Sequence, residues 1–343
     1  MTLTVFLMSM LILALGIQPV KAESGTWIVD DDGPADFHTI QEAINAANPG
    51  DTIYVKAGTY YENMVVNKTL SLVGEGSAST IVDGNQTEFV VSMTCSDVKV
   101  EGFTFCNTNP VNNTPGFGIV AYNVTDCFIH RNKLCHNYCG IRLISCVNST
   151  ITNNDIEDNK IGILSEFSPN CVINNNILFN NLYHGISIKN SENYSICDND
   201  VSFSNDGIRI EYSNNCTIKN NTVQSTYFYG IKIYSSHNSK IKNNAVDENY
   251  HIGISIQHSV NCTVTKNVMR NNINWYALEI YLSDSTQAAD NILDGNFHGI
   301  QLLHSNNCEI CSNEVNGSSN GVYIDSSNNN RVNYNKIKSN FYG

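Results

Sequence analysis

The chain has 343 residues and a formal net charge of −13 at pH 7, and 41% of its residues are hydrophobic. The excess of acidic residues argues against nucleic-acid binding and against adsorption to an anionic membrane, because both need a surplus of Lys and Arg. Asparagine accounts for 52 of the 343 residues. This composition disfavours a helical protein, since Asn is a poor helix former and a good turn former.

The N-terminus has the features of an export sequence. Residues 5–17 form an apolar run of 13, which is too short to span a bilayer comfortably. The small-x-small pattern at residues 20–22 follows, so residues 1–22 are predicted to be a signal peptide. No Lys or Arg precedes the apolar run, and retention of the segment as an anchor is the alternative. No later segment is apolar enough to cross a membrane, and the protein is predicted to be secreted or held at the cell surface.

Residues 23–117 differ from the rest of the chain and contain its one convincing helical pattern. The pattern covers residues 39–47, with the apolar residues on one face. Thr39 and Glu42 have the spacing of a capping box. Because the open end of a stack of strands exposes its core, this amphipathic helix is predicted to cover that end.

Residues 118–343 repeat with a period of 22–24 residues. A Gly-Ile-x-Ile type of segment recurs from Gly118 to Gly343, with Ala277 replacing Gly once. Each apolar alternation is short and is bounded by Asn, Ser or Gly, which is typical of short strands. The period lacks the helical half of a leucine-rich repeat and the four strands of a propeller blade. The predicted fold is therefore all-β, a parallel β-helix in which each coil stacks on the previous one.

Two repeated positions are predicted to be structural. One Asn in each of ten coils is expected to point inward and to bond the Asn of the next coil, forming a ladder. The alternative is a solvent-facing turn residue. The repeated Gly is expected to provide either a bend with positive φ or a close backbone approach. The Asn column consists of Asn132, Asn154, Asn176, Asn199, Asn221, Asn244, Asn267, Asn291, Asn313 and Asn335.

Cysteine follows the same period. Equivalent residues two coils apart lie about 9.6 Å apart, too far for a disulfide, so the periodic cysteines are predicted to be small buried apolar residues. Cys106 and Cys135 align on adjacent coils, and either a disulfide or two stacked thiols would suit that alignment. No cysteine or histidine spacing indicates a metal site. The periodic set is Cys171, Cys216, Cys262 and Cys308.

The segment DFHTIQEAINAANPGDTIYVKAGTYYENMVVNKTLSLVGEG, followed by the coils, resembles right-handed parallel β-helix proteins of the NosD-like group. These are common as exported proteins of methanogens and other archaea, and the resemblance covers residues 25–343. It implies a right-handed coil but does not specify a function. The wider superfamily includes pectate lyases, polygalacturonases, pectin methylesterases, alginate epimerases, surface-layer proteins and carbohydrate-binding proteins. NosD itself is associated with copper-site maturation of nitrous oxide reductase.

Outward-facing side chains of the central coils form the candidate site. His184 and Asp206 are expected to be neighbours on adjacent coils, as an acid/base pair would be. With Arg209 and Glu211 they are the candidate catalytic residues. The alternative is a solvated sheet face with cross-strand ion pairs such as Lys189 with Glu211. Because aromatic rings stack on sugar faces, a carbohydrate-binding strip is predicted, consisting of Tyr183, Phe228, Tyr229, Lys232, Trp275, Tyr276, Glu279 and Tyr281.

The motifs of known β-helix enzymes are incomplete in this sequence. Asp206 and Arg209 fit part of a polygalacturonase pattern, but Gly-His-Gly and Arg-x-Lys are absent. Asp198 and Asp200 lie nearby in the sequence without completing the calcium ligands of a pectate lyase. The acidic run 30–32 lacks the later ligands of a calcium loop. No cofactor is predicted, and calcium is the one that these carboxylates would suit best.

The favoured function is non-catalytic: an exported scaffold that binds a polysaccharide, a surface glycan or other envelope proteins. A hydrolase, lyase or epimerase acting on polysaccharide at the outer face is the alternative. A NosD-like copper-maturation accessory is the third hypothesis, and the scattered His and Met residues do not favour it.

Overall fold

The computed structural model describes residues 24–108 and 115–343, so the predicted signal peptide lies outside the described residues. The strands form three parallel sheets, here called A, B and C, and the prediction of a right-handed parallel β-helix is confirmed. After the first strand of A and the helix, the chain adds strands to A, B and C in turn. In the described part of the chain, no helix is long and apolar enough to cross a membrane.

The three sheets run the length of the molecule. Sheet A contains β1 (Thr26–Val29), β2 (Thr52–Val55), β5 (Ser71–Gly74), β8 (Lys99–Glu101), β11 (Phe128–His130), β14 (Thr150–Thr152), β17 (Val172–Asn174), β20 (Ser195–Cys197), β23 (Thr217–Lys219), β26 (Lys240–Lys242), β29 (Thr263–Thr265), β32 (Gln287–Ala289), β35 (Glu309–Cys311) and β38 (Arg331–Asn333). Sheet B contains β3 (Gly58–Tyr60), β6 (Thr80–Asp83), β9 (Thr104–Cys106), β12 (Lys133–Cys135), β15 (Asp155–Glu157), β18 (Ile177–Phe179), β21 (Asp200–Ser202), β24 (Thr222–Gln224), β27 (Ala245–Asp247), β30 (Val268–Arg270), β33 (Ile292–Asp294), β36 (Glu314–Asn316) and β39 (Lys336–Lys338). Sheet C contains β4 (Met64–Val66), β7 (Phe89–Met93), β10 (Phe117–Tyr122), β13 (Cys139–Ile144), β16 (Ile161–Glu166), β19 (His184–Lys189), β22 (Asp206–Glu211), β25 (Tyr229–Tyr234), β28 (Ile252–Gln257), β31 (Tyr276–Tyr281), β34 (His298–Leu303) and β37 (Asn320–Asp325).

The N-terminal helix α1 (Ile40–Ala46) covers one end of the stack, as predicted. Its apolar face, with Ile40, Ala43 and Ile44, is fully buried in the same core as the strands. Thr39 caps the helix by accepting a hydrogen bond from the Glu42 amide. The remaining amides at this end donate to the Glu62 carboxylate rather than completing a capping box.

The predicted Asn ladder is confirmed. The side-chain amide of each Asn donates to the side-chain oxygen of the Asn in the next coil, at 2.9–3.2 Å from Asn132 to Asn335. The same amides reach backbone carbonyls of the preceding coil, as Asn176 does to Ile151 at 3.0 Å. The ladder therefore satisfies buried backbone groups at the turn between sheets A and B.

Two further ladders were not predicted from the sequence. At the turn after sheet C, serine hydroxyls accept the backbone N–H of the equivalent residue one coil earlier, as Ser213 does from Ser191 at 2.9 Å. At the turn between sheets B and C, a second Asn column bonds in the same way, as Asn249 does to Asn272 at 3.0 Å. All three turns of the coil therefore use a buried polar side chain to bond the neighbouring coil.

The repeated Gly of the Gly-Ile-x-Ile segments, here called the Gly column, allows neighbouring backbones to approach closely. It does not provide a bend with positive φ. Positive φ occurs at other glycines, such as Gly295, and not at the column positions. A Cβ on Gly207 would lie 2.6 Å from the Gly230 carbonyl oxygen and 2.4 Å from a methyl group of Val223. A side chain at this position would therefore separate adjacent coils or displace a core residue.

The periodic cysteines are buried free thiols, as predicted. Cys106 and Cys135 are paired directly across β9 and β12, with Asp83 and Glu157 as their next neighbours in the same row. Both are buried thiols in this structure. Adjacent parallel strands place Cα atoms about 4.8 Å apart, within the range of a disulfide. A bridge between them under oxidising conditions therefore stays a prediction.

The ladder makes a direct prediction about stability. Asn221→Ala removes the amide that donates to the Ile196 carbonyl and the oxygen that accepts from Asn199. Because at least two buried groups lose their partners, we expect a loss of about 2–5 kcal/mol in the free energy of unfolding. The control is Asn274→Ala, a half-buried Asn for which the described residues provide no side-chain hydrogen bond. Chemical denaturation with equal losses for both variants would contradict the ladder's role.

Candidate functional site

From Gly118 onward, variation in coil length is confined to the turn between sheets B and C. Gly118 precedes Asn137 by 19 residues, and the same interval recurs in each of the following coils. From the Asn137 position to the next Gly, the interval is three residues in most coils, four in three coils and five in one. The extra residues therefore all lie in the turn between sheets B and C. Insertions on one face of a repeat protein are commonly found at its binding surface.

The inserted residues build a ridge of aromatic side chains. Tyr227 stacks on Tyr250 with ring centroids 5.0 Å apart and planes 7° apart. Phe228 stacks on His251 at 5.5 Å and 12°. These four residues, here called the aromatic ridge, are held in pairs because consecutive coils stack in register. The ridge separates a hollow on the sheet C side from one on the sheet B side.

The sheet C hollow brings together half of the predicted carbohydrate-binding strip. It encloses about 280 Å³ beside strands β25, β28 and β31. Trp275 stands at its edge with 52% of its surface exposed. His251 and Ile252 complete the wall and were not among the predicted residues. The full lining is Phe228, Tyr229, His251, Ile252, Trp275 and Glu279.

Lys232 lies beside this hollow, over the ring of its Tyr229 wall. Its ammonium nitrogen lies 4.4 Å from the centroid of the Tyr229 ring and 5.6 Å from that of Tyr234. Within the described residues it forms no ion pair with a carboxylate, although most other cations on sheet C do. Burial lowers the pKa of Lys232, and the nearby Arg209 charge lowers it further. Lys232 is thus a partly desolvated cation held between two aromatic rings.

The four predicted catalytic residues do cluster, on β19 and β22. Arg209 donates from Nη1 to Asp206 at 2.8 Å and from Nη2 to Glu211. His184 lies directly opposite Asp206, with Nδ1 3.5 Å from the carboxylate. Lys189 approaches Glu211 at 3.6 Å, which is the predicted cross-strand pair. The cluster is therefore a network in which Arg209 bonds both carboxylates.

Both carboxylates in this network are held in the ionised form. Burial alone would raise the pKa of Asp206, but the close approach of His184 and the hydrogen bond from Arg209 outweigh it and the pKa is lowered. The pKa of Glu211 is lowered for the same reason, with Arg209 as the main partner. A glycosidase needs one carboxylic acid protonated near neutral pH, which calls for a raised pKa. The network of Asp206, Arg209 and Glu211 therefore does not supply the protonated carboxylic acid that a glycosidase needs.

The remaining predicted residues are spread around the hollow rather than in it. Tyr276 packs on His298 with ring centroids 4.9 Å apart, just beyond the lining. Tyr183 lies in an earlier turn beside His184. Tyr281 lies at the opposite end of β31, near His258. Five residues of strand separate it from Tyr276 by about 16 Å, so it is too distant to share a sugar unit with Trp275.

One grouping in the described residues has the size of a metal site. The carboxylates of Asp30, Asp31 and Asp32 lie within 4.8 Å of one another. Asp30 is already bonded to Lys56 at 3.3 Å and to the Gly33 amide at 3.2 Å. An internal ion pair therefore accounts for the best-buried member of the group, and calcium binding there has no further support.

The geometry predicts how acid affects this network. Asp206 is only 3% exposed and its pKa is lowered in the folded state. Its stabilising contribution is therefore complete above its unfolded pKa of about 3.9 and is lost as pH falls through the lower folded value. We expect Asp206→Asn to cost about 1–3 kcal/mol at neutral pH, because Arg209 loses a charged partner. The difference from the unsubstituted protein should shrink in acid.

Denaturant titrations at neutral and acidic pH measure this difference. Asp200→Asn is the matched control, since Asp200 is exposed on sheet B. Equal stability of Asp206→Asn and the unsubstituted protein at neutral pH would show that the network contributes nothing.

Comparison with known proteins places the chain in a family. A sequence profile described as periplasmic copper-binding protein (NosD) matches residues 44–279 and 204–343. The chain belongs to the NosD family. The resemblance drawn from the cap and the coils is thereby confirmed.

Curated relatives match only in part. A probable pectinesterase/pectinesterase inhibitor 6 of Arabidopsis thaliana is 43% identical over 68 residues, which cover 17% of this chain and 12% of that protein. A cell surface glycoprotein of Methanothermus fervidus is 35% identical over 101 residues, covering 29% of this chain and 16% of the glycoprotein. The shared segments are thus small parts of these proteins.

Solved structures extend the comparison of the fold. The A-module of the Azotobacter vinelandii mannuronan C-5 epimerase AlgE6 has a TM-score of 0.77 and 15% identity, covering 87% of this chain and 93% of that one. The Dettilon tailspike protein has a TM-score of 0.60 and 17% identity, covering 82% and 63%. At such identities the similarity shows the fold alone.

The described residues of this NosD family member do not fit a copper centre. Copper in proteins is usually held by Cys, His or Met. In residues 24–108 and 115–343, no grouping of His, Cys, Asp or Glu other than Asp30 to Asp32 brings three ligand atoms together. Met64, Met93 and Met269 are fully buried in the core and do not reach the surface.

Proposed function

We propose that this protein is an exported β-helix that binds acidic glycans on the outer face of sheet C without changing them chemically. The observation that carries the proposal is the sheet C hollow with Lys232 beside it. Exposed rings of Trp275 and Phe228 offer surfaces for sugar faces, and Lys232 offers a cation without a carboxylate partner among the described residues. An acidic sugar unit has both an apolar face and a carboxylate that complement these groups.

The names of related proteins support a carbohydrate partner. A mannuronan epimerase and pectinesterases share the fold or short segments of sequence, and a cell surface glycoprotein shares another. Export is supported by the apolar run 5–17 and by the word periplasmic in the family description. A protein of the cell envelope is the other partner that the same exposed surface would suit.

A polysaccharide-active enzyme is the second candidate function, and Lys232 is the specific observation in its favour. Elimination or epimerisation of an acidic sugar begins with removal of a proton beside the carboxylate. A lysine whose pKa is lowered by burial is a better base than an exposed one. Asp206 and Glu211 are ionised and bound to Arg209, so they would serve as structural neighbours rather than as proton donors.

The binding proposal is tested with hexagalacturonate. Trp275→Ala and Lys232→Met should each weaken binding at least tenfold in isothermal titration calorimetry, because central aromatic and charged contacts commonly contribute about 2 kcal/mol. Affinity should also fall with added salt, since the Lys232 contact is electrostatic.

Two surface substitutions are the matched controls. Tyr61→Ala removes a ring that is 70% exposed on the N-terminal coils, and Lys219→Met removes an exposed cation of sheet A. Both should bind like the unsubstituted protein. Hexagalacturonate binding that is equal in all four variants would remove the sheet C hollow from consideration. Release of unsaturated ends, abolished by Lys232→Met, would favour the enzyme instead.

A further inference from the structure

A second hollow lies across the aromatic ridge, on the sheet B side. It encloses about 410 Å³, within the usual range of small-ligand sites. Leu182 and Phe203 form one side, and Tyr227, Tyr250 and Ile273 form the other. The side chains of Tyr227 and Tyr250 face this hollow, whereas Phe228 and His251 line the sheet C hollow. The ridge thus presents an aromatic surface to each side.

The hollow lies where the second Asn ladder is interrupted. Asn159 bonds Asn181 at 3.1 Å, and beyond the gap Asn249 bonds Asn272 at 3.0 Å. Ser204 and Thr226 occupy the two positions between them. Thr226 donates from its hydroxyl to Asn249 at 2.7 Å, whereas the hydroxyl of Ser204 bonds neither neighbour. The Ser204 side chain is shorter than that of Asn, and its turn is the short form between two lengthened turns. The missing side-chain volume and the short turn together create the depression.

Ser204 brings an unused hydroxyl to the lining of this hollow. It is only 4% exposed, and its Oγ has no hydrogen-bond partner in the described part of the chain. A buried polar group without a partner is costly, and in native proteins it usually has one. Asn205 and Thr226 add an amide and a second hydroxyl to the lining. The structure therefore offers polar groups below aromatic walls.

The charges of the two hollows differ. No Lys, Arg or His lines the sheet B hollow, and Glu248 is its one charged residue. An acidic sugar would meet the Glu248 carboxylate there with no cation in the lining to offset it. In the sheet C hollow the Glu279 carboxylate already accepts hydrogen bonds from Ser255 and Gln257, and Lys232 lies beside the Tyr229 wall. A neutral sugar ring would meet aromatic faces and hydroxyl, amide and carboxylate partners for its own hydroxyls.

We propose that the sheet B hollow is a second carbohydrate site, which binds a neutral pyranose unit through Ser204 and the ring of Tyr250. This rests on the proposed function in taking the ligand to be a glycan, but the site, its residues and its preferred ligand charge are distinct. The protein would then hold acidic and neutral sugar units on opposite sides of one ridge.

The key variant is Ser204→Asn, which places in the gap the residue found at this position in most other coils. The new amide is expected to reach the Leu178 carbonyl, as Asn181 reaches Ile156 at 2.9 Å. It fills the lining and removes the free hydroxyl, while the melting temperature should stay equal or rise. Phe203→Ala is the second variant, since Phe203 is exposed at the rim and its loss does not disturb the core.

The probes are hexagalacturonate and four neutral hexasaccharides, made of β-1,4-glucose, β-1,3-glucose, α-1,4-glucose and β-1,4-mannose. We expect at least one neutral probe to bind, and both Ser204→Asn and Phe203→Ala to weaken it at least tenfold. Hexagalacturonate binding should change by less than twofold in these variants. Trp275→Ala should show the opposite pattern.

The outcomes separate this site from the proposed function. If hexagalacturonate binds through Trp275 but no neutral probe binds, or a neutral probe binds equally well to Ser204→Asn and Phe203→Ala, the second site is wrong and the first stands. If a neutral probe binds and depends on Ser204 while hexagalacturonate does not bind, the second site stands alone. Failure of every probe overturns both.

Discussion

Hydrogen bonding between equivalent residues of neighbouring coils is the interaction on which this structure depends. A coil of three short strands has three turns, and each turn brings backbone N–H and C=O groups into the interior. Two Asn columns and one Ser column satisfy these groups, one coil to the next. Since each bond requires the same residue to lie directly above and below, the columns also fix the register of the apolar side chains.

This constraint explains the unusual composition. Ladder positions require Asn because its side chain both donates and accepts. The residue just before a ladder Asn often has positive φ, as Asn175, Asn220 and Asn243 do, and Asn tolerates that region better than most residues. The ladder hydrogen bonds and the positive φ of the preceding residue therefore both favour Asn at the same turn.

The constraint also locates the surface available for function. In the regular coils from Gly118 onward, length varies only between the second Asn column and the following Gly, where it does not disturb the ladders. The lengthened turns carry Tyr227, Tyr250 and Trp275 outward. The aromatic ridge and the hollows beside it follow from that placement.

The sequence was sufficient to predict the fold and the first Asn ladder. It also predicted that His184 and Asp206 lie side by side on adjacent coils. All three depend on the nearly constant spacing of 22–24 residues between equivalent positions. It did not reveal the Ser ladder, since Ser is common at turns. Nor did it reveal the second Asn ladder, in which Ser204 and Thr226 interrupt the pattern. The sequence pattern groups Tyr281 with Trp275 because alternation gives the face of a strand but not the distance along it. The two hollows depend on the length of the turn between sheets B and C. Differences in that length are visible only when the second Asn column is compared with the Gly that follows it in each coil.

The central claim is that the turn and strand surface around Trp275 and Lys232 holds an acidic glycan. A crystal structure of the protein with hexagalacturonate tests it most directly. The account predicts a sugar ring against Trp275 and a carboxylate within hydrogen-bonding distance of the Lys232 ammonium group. Sugar bound elsewhere, on sheet A or on the helical cap, with the sheet C hollow empty, would contradict the account.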